Sequence, residues 1–245
     1  NHMFGIYSSF NPDAVENVEL YKSSIPAEYG GRISSVMEVS SKEGNMEKFK
    51  GSVGIGLLTS HVFLEGPLKK NSTSFTLGGR TTYSDWILGK LPEGNGYAGG
   101  KTNFSDINAG LTHRFGPDNT LNVNAYWSHD GFSFAKDTTF RYDNLNVSAK
   151  WKKKLSNKSS FALSGGVNRY GTCVDDIANV YDAYTLETII RQASLKAAFS
   201  TALSDRHRLS YGLEVTGFAL DRGNMAPLNA ESLKQEQSLG TETAL

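Results

Sequence analysis

From Phe49 onward the chain alternates apolar and polar residues with a period of two, in one segment after another. Val53, Ile55 and Leu57 alternate with Ser52, Gly54 and Gly56, and Val62, Leu64 and Leu68 alternate with His61, Phe63 and Glu65. Phe75, Leu77, Gly79 and Thr81 form one set against Ser74, Thr76, Gly78 and Arg80. The pattern repeats at Ile107 to Phe115, Leu121 to Trp127, Leu145 to Trp151, Phe161 to Val167, Ala193 to Leu203 and Leu209 to Val215. Tight polar turns separate alternate pairs: Lys69-Lys70-Asn71, Gly116-Pro117-Asp118-Asn119, Ser156-Asn157-Lys158-Ser159 and Ser204-Asp205-Arg206-His207. Such a chain must fold as an antiparallel up-and-down sheet, with nine full strands and the start of a tenth. Strands of roughly 10 residues are expected, the length that crosses a tilted bilayer. Connections are expected to alternate strictly between short and long. The long ones run from Ser84 to Asn103, Asp130 to Asn144, Gly171 to about Thr185 and Asp221 to about Gln237.

Alternation cannot tell which set faces inward. A soluble sandwich or barrel buries the apolar set, whereas a transmembrane barrel turns it outward to lipid. Composition narrows the function. Equal numbers of basic and acidic residues, 25 each, give no basic surface for nucleic acid. One cysteine among 245 residues excludes an internal disulfide framework and a Cys-rich metal site. No run of eighteen apolar residues is present, so no transmembrane helix is expected, which says nothing against barrel strands. No secretory signal is visible at Asn1-His2-Met3-Phe4, and the chain reads as beginning inside a domain.

Before the repeats stands a different segment. Asn11-Pro12-Asp13 is a helix-start signal, with Asn11 able to cap and Pro12 suited to a first turn. Val15, Val18 and Leu20 lead to a loop at Ser23 to Gly31, and Ile33 to Ser40 reads as a strand. Here the words resemble a family. Val18-Glu19-Leu20-Tyr21-Lys22, Pro26-Ala27-Glu28-Tyr29-Gly30-Gly31-Arg32 and Ser34-Ser35-Val36 resemble the end of a TonB-dependent outer-membrane receptor plug. Glu65-Gly66-Pro67 and Gly79-Arg80-Thr81-Thr82-Tyr83 resemble the first barrel strands of the branch that includes SusC-like transporters. The chain departs from the family at Lys22-Ser23, where many members carry Arg-Gly.

The resemblance implies a mainly β fold, in which the C-terminal part of an α+β plug (1–46) precedes an incomplete transmembrane β-barrel (47–245). It implies TonB-driven import of a scarce, bulky solute across the outer membrane of a Gram-negative bacterium. The partners implied are the TonB-ExbB-ExbD complex, outer-membrane lipids and a surface SusD-like lipoprotein. The segment that TonB grasps is expected to precede Asn1. No enzyme activity, cofactor or nucleic-acid partner is expected. Because the family's barrel has about twenty-two strands, ten describe only part of a wall. The alternatives are a non-energised porin or adhesin-like barrel and a soluble carbohydrate-binding β protein.

Site residues follow from both lines. Pro26, Ala27, Tyr29, Gly30, Gly31 and Arg32 form the implied plug turn and last plug strand. Glu65, Arg80, Lys150, Lys152, Lys196 and Glu214 fall in the polar set and are candidates for the lumen or for plug contact, with Glu65 the expected partner of Arg80. Arg32 is expected beside them. Trp86, Tyr97 and Tyr181 lie in long connections and are candidates for touching solute. Tyr83, Trp86, Trp127, Phe132 and Trp151 stand near strand ends, where aromatic belts form. Leu195, Ala197 and Phe199 are expected on the lipid side, with Ser194, Lys196 and Ala198 opposite. Cys173 is expected in an outer loop. The five histidines have no metal-ligand spacing, and Asp175-Asp176 alone is a weak calcium signal.

Overall fold

The computed structural model describes residues 11–23, 25–30, 34–83, 100–134 and 137–245. The described residues open with a single 3-10 turn, Pro12–Ala14, in which Asn11 Oδ1 accepts from the Asp13 amide at 3.0 Å. That turn is the only helical element among the described residues. Strands β1 (Val15–Tyr21) and β2 (Val36–Ser41) then pair into a two-stranded antiparallel sheet.

The strands described from Lys50 onward belong to one antiparallel sheet. Its strands are β3 (Lys50–Ile55), β4 (Thr59–Lys69), β5 (Thr73–Thr82), β6 (Lys101–Gly116), β7 (Asn119–Phe134), β8 (Thr138–Lys154), β9 (Ser159–Asp176), β10 (Tyr184–Ser204) and β11 (His207–Pro227). Two short pieces, β12 (Gln237–Ser238) and β13 (Thr241–Ala244), both pair with β11 and together begin a tenth wall strand. Each strand pairs with its sequence neighbours, so the wall is an up-and-down meander, a section of β-barrel. The turns close as their residues dictate. Asn71 takes a positive φ of 59° in the β4–β5 turn, and Ser156 Oγ accepts the amides of Lys158 and Ser159.

Two expectations about the strands need correction. Strands β6 to β11 are 16 to 21 residues long, not roughly 10. Connections do not alternate strictly either, since residues 56–58 join β3 to β4 and residues 135–137 join β7 to β8. The stretch from Asp130 to Asn144 is the two arms of a hairpin, with Asp130 opposite Tyr142 and Phe132 opposite Phe140. Likewise β9 runs through Cys173 to Asp176, which leaves only residues 177–183 as connection, and β11 runs to Pro227. In these extensions both faces carry polar residues. The period-two signal therefore fades although the backbone ladder continues.

The packing decides the open question of faces. Residues directly opposite in an antiparallel ladder share a face, so one inner row runs Ser74, Thr112, Asn122, Lys150, Ser164, Lys196 and Glu214. The largest fully buried side chains are polar members of this face, Ser74, Asp106 and Ser128, with Asn11 from the N-terminal segment. The opposite face leaves Leu64, Leu77, Ile107, Leu111, Leu195, Leu213 and Val215 exposed. The wall is thus apolar outside and polar inside, the reverse of a soluble barrel.

Candidate functional site: the contact between the N-terminal segment and the inner wall

The N-terminal segment sits against the polar face through side chains that the alternation had already sorted inward. Asp13 lies 3.5 Å from His61 Nε2 and accepts from Ser52 Oγ at 3.1 Å. The carbonyl of Glu43 accepts from Ser74 Oγ at 2.6 Å, while its carboxylate pairs with Arg114 at 2.9 Å. Lys42 lies over the Phe63 ring at 5.3 Å, and the Met46 carbonyl accepts from the Asn71 amide at 3.1 Å.

Two glycines allow the close approach. Gly44 has a φ of +77°, and a Cβ there would stand 2.8 Å from the Phe75 carbonyl oxygen. At Gly78 a Cβ would stand 2.5 Å from Asn108 Oδ1 and 3.0 Å from Asn11 Nδ2. The missing side chain is therefore the space into which the Asn11 and Asn108 carboxamides project. Sequence reading put Gly78 in the polar set of its strand. It did not single out Asn108 or Asn11 as the occupants of that space.

Beside this spot lies the buried ion pair of the wall. Arg80 Nε donates to Asp106 Oδ2 at 2.8 Å, and the guanidinium lies 5.4 Å from the centre of the Phe104 ring. Asp106 is fully enclosed, and Asn108 Nδ2 approaches its other oxygen at 3.4 Å. Glu65 is not the partner of Arg80. In the ladder Arg80 stands opposite His61 on β4 and Asp106 on β6, while Glu65 stands opposite Lys50 and Thr76. Register placed the two charges four residues apart along β4, and the period alone does not specify register. Sequence reading missed Asp106, although it shares the polar alternation of β6.

A second contact joins the far end of the wall to the N-terminal loop. Lys196 Nζ donates to the Glu28 carbonyl at 3.2 Å and lies 3.3 Å from the Glu28 carboxylate. The same ammonium lies over the Tyr29 ring at 5.1 Å. Tyr29 donates to Glu38 at 2.6 Å, and desolvation followed by that carboxylate pushes its phenol up from the usual tyrosine range. Pro26 accepts the Tyr29 amide at 3.0 Å, so Pro26, Ala27, Glu28 and Tyr29 form the turn that presents Glu28, with Gly30 following. Lys150 and Glu214 share the inner row of Lys196 and are exposed. Lys152, two residues from Lys150 on β8, is exposed on the same face. Gly31, Arg32, Trp86 and Tyr97 lie outside the described residues.

The other named aromatics divide. Trp151 donates to Asn119 at 2.6 Å and starts an outer-face chain of rings through Phe161, Phe199 and Tyr211, with centroids 5.9, 4.7 and 5.3 Å apart. Trp127 is exposed between Ile107 and Leu145. Phe132 follows Asp130 by two residues and so lies on the inner face, not in an outer belt. Tyr83 bonds Ser60 across the β4–β5 pair at 3.0 Å. Tyr181 is exposed in the 177–183 connection, and its carbonyl accepts from the Leu233 amide at 2.7 Å. Cys173 is inside β9 rather than in a loop, with Arg141 donating to its sulfur at 3.1 Å. Among the described residues no cluster of His, Cys, Asp or Glu could hold a metal ion.

The sequence matches no protein-family model. No curated protein matches it either. Among solved structures, the wall and its N-terminal segment are similar to the siderophore receptor PiuA from Acinetobacter baumannii, with a TM-score of 0.63 at 14% identity. The similarity covers 94% of this chain and 42% of that receptor, so the chain spans less than half of its length. At this identity the likeness is one of fold alone: a section of antiparallel β-barrel wall.

Proposed function

We propose that this chain is part of a TonB-dependent transporter of the bacterial outer membrane, with residues 11–46 as the end of the plug and the sheet as the first part of the barrel. The observation that carries the reading is the inverted wall, polar where residues 11–46 contact it and apolar where it is bare. The outer face supports it further. Arg191 to Phe199 is a run of nine residues on β10, within the roughly 9–11 that a tilted strand uses to cross a bilayer. Aromatic rings from Trp151 to Tyr211 bound the apolar face at the short-turn end, as interfacial girdles do.

In this reading the solute is a scarce, bulky molecule, and the fold likeness to a siderophore receptor makes a metal chelate the first class to test. Import would be energised through TonB with ExbB and ExbD. The contacts at Glu28, Glu43 and Asp13 are single ion pairs and hydrogen bonds rather than a dry apolar interface. A plug so held can be moved without exposing hydrophobic surface. The protein is a transport scaffold and not an enzyme. A SusD-like surface lipoprotein is a further partner if the solute is a glycan or peptide.

The test is growth of a strain dependent on the full-length protein, with ferric chelates as sole iron source and with tonB intact or deleted. Uptake that needs both the protein and TonB supports the reading. Uptake independent of TonB would instead favour a porin-like barrel. Extraction of the full-length protein by high salt without detergent would favour a soluble β protein.

A further inference from the structure

Arg169 on β9 and Arg191 on β10 stand directly opposite one another. Both are exposed on the outer face, one row beyond the apolar residues Val147, Val167, Ala193 and Gly217. Like charges so placed, with Cβ atoms about 5 Å apart, destabilise a strand pair unless a counter-charge is supplied. Asp143 and Asp221 on this face are engaged elsewhere. Asp143 bonds His129 at 2.7 Å, and Asp221 accepts from Asn224 at 3.0 Å and from the Gly223 amide at 3.3 Å. Glu187 pairs with Arg169 at 4.0 Å, so one counter-charge is present, while among the described residues no carboxylate pairs with Arg191. Beneath the pair the surface is hollow, because Ala193 and Gly217 carry almost no side chain. The resulting open groove of about 650 Å³ is lined by Leu145, Val167, Ala193 and Gly217, with Arg169 and Arg191 at its rim.

We propose that Arg169 and Arg191 clamp the phosphate of an anionic membrane lipid whose acyl chain lies in this groove. The proposal rests on the reading of the outer face as lipid-facing. Charge complementarity selects the occupant. Guanidinium forks match phosphate oxygens in pairs, and the groove below accepts hydrocarbon but offers little to a polar ligand. An uncharged apolar partner would leave Arg191 uncompensated, while free phosphate would leave the groove bare.

The experiment is native mass spectrometry of the full-length protein in non-ionic detergent, with added dioleoylphosphatidylglycerol, dioleoylphosphatidylcholine or inorganic phosphate. Phosphatidylglycerol adducts are expected to outlast phosphatidylcholine adducts, and the R169Q/R191Q double variant should lose this preference by about tenfold, the scale of one charge-assisted contact. The R169K/R191K variant keeps the charge but not the fork and should retain part of it. Equal retention by wild type and R169Q/R191Q would overturn the clamp, as would equal retention of both lipids by wild type. Inorganic phosphate bound as well as phosphatidylglycerol would overturn the lipid assignment. Heat-modifiable migration of the same samples separates the two levels: a wild type that remains a detergent-extracted barrel yet shows no lipid preference sinks this inference alone.

Discussion

Lys196, in the middle of β10, reaches Glu28, which precedes it by 168 residues, and holds both its carbonyl and its carboxylate. The contact ties the penultimate full hairpin of the wall to the N-terminal loop. Its partners are partly exposed, 24% for Lys196 and 54% for Glu28, so water screens it. A double-mutant cycle with Lys196→Met and Glu28→Gln, read by thermal unfolding of the full-length protein, should give a coupling of about 1 kcal/mol or less. High salt should reduce it. A coupling several times larger would mean that the loop is far more enclosed in the complete barrel.

The two adjacent glycines of β5 should behave differently. A Cβ at Gly79 would meet nothing nearer than 3.7 Å, whereas one at Gly78 would press on Asn108, Asn11 and Phe63. Gly78→Ala is expected to destabilise the seat of the N-terminal segment by about 1–3 kcal/mol, the cost of overpacking, and Gly79→Ala to be near neutral. Limited proteolysis at residues 11–46 reads the difference. Equal protection of the two variants would argue against a tight approach at Gly78.

Asp106→Ala leaves Arg80 enclosed without its carboxylate, and its cost is expected to be about 3–5 kcal/mol. Glu65→Gln, at the position first expected to pair with Arg80, should cost well under 1 kcal/mol, as an ordinary polar exchange does. Thermal unfolding of the two variants in one detergent gives the comparison directly. A larger loss for Glu65→Gln would show that the charge balance of the inner wall is not set by Asp106.

Leu195 lies midway between Arg191 and Phe199 on the bare face, opposite Gly165 and Val215. If that face meets lipid, Leu195→Arg places a charge near mid-bilayer and costs about 2–4 kcal/mol. Ser194→Arg turns its charge to the hydrated inner face and should assemble almost as well as wild type. Heat-modifiable migration of outer-membrane fractions measures the assembled fraction. Equal assembly of the two would reverse the assignment of faces.

Much of this was legible in the residues one by one. Period-two alternation requires each strand to present two sets, and the turn residues at Lys69-Lys70-Asn71 and Ser156 to Ser159 require consecutive strands to pair. Asn11 and Pro12 signal a helix start, but only one capped 3-10 turn forms before strand β1. Lys196 was sorted to the correct face because it sits among Ser194 and Ala198. Other features needed the folded chain. Alternation is symmetric under exchange of inside and outside, so only the N-terminal segment lying against Ser74 and His61 decides that the polar set is buried. The partner of Arg80 depended on register, which the turns fix by single residues and which no periodicity carries. The outward extensions of β7 to β11 were invisible because their ladders continue where neither face is apolar. There backbone hydrogen bonding, rather than side-chain burial, keeps the strand.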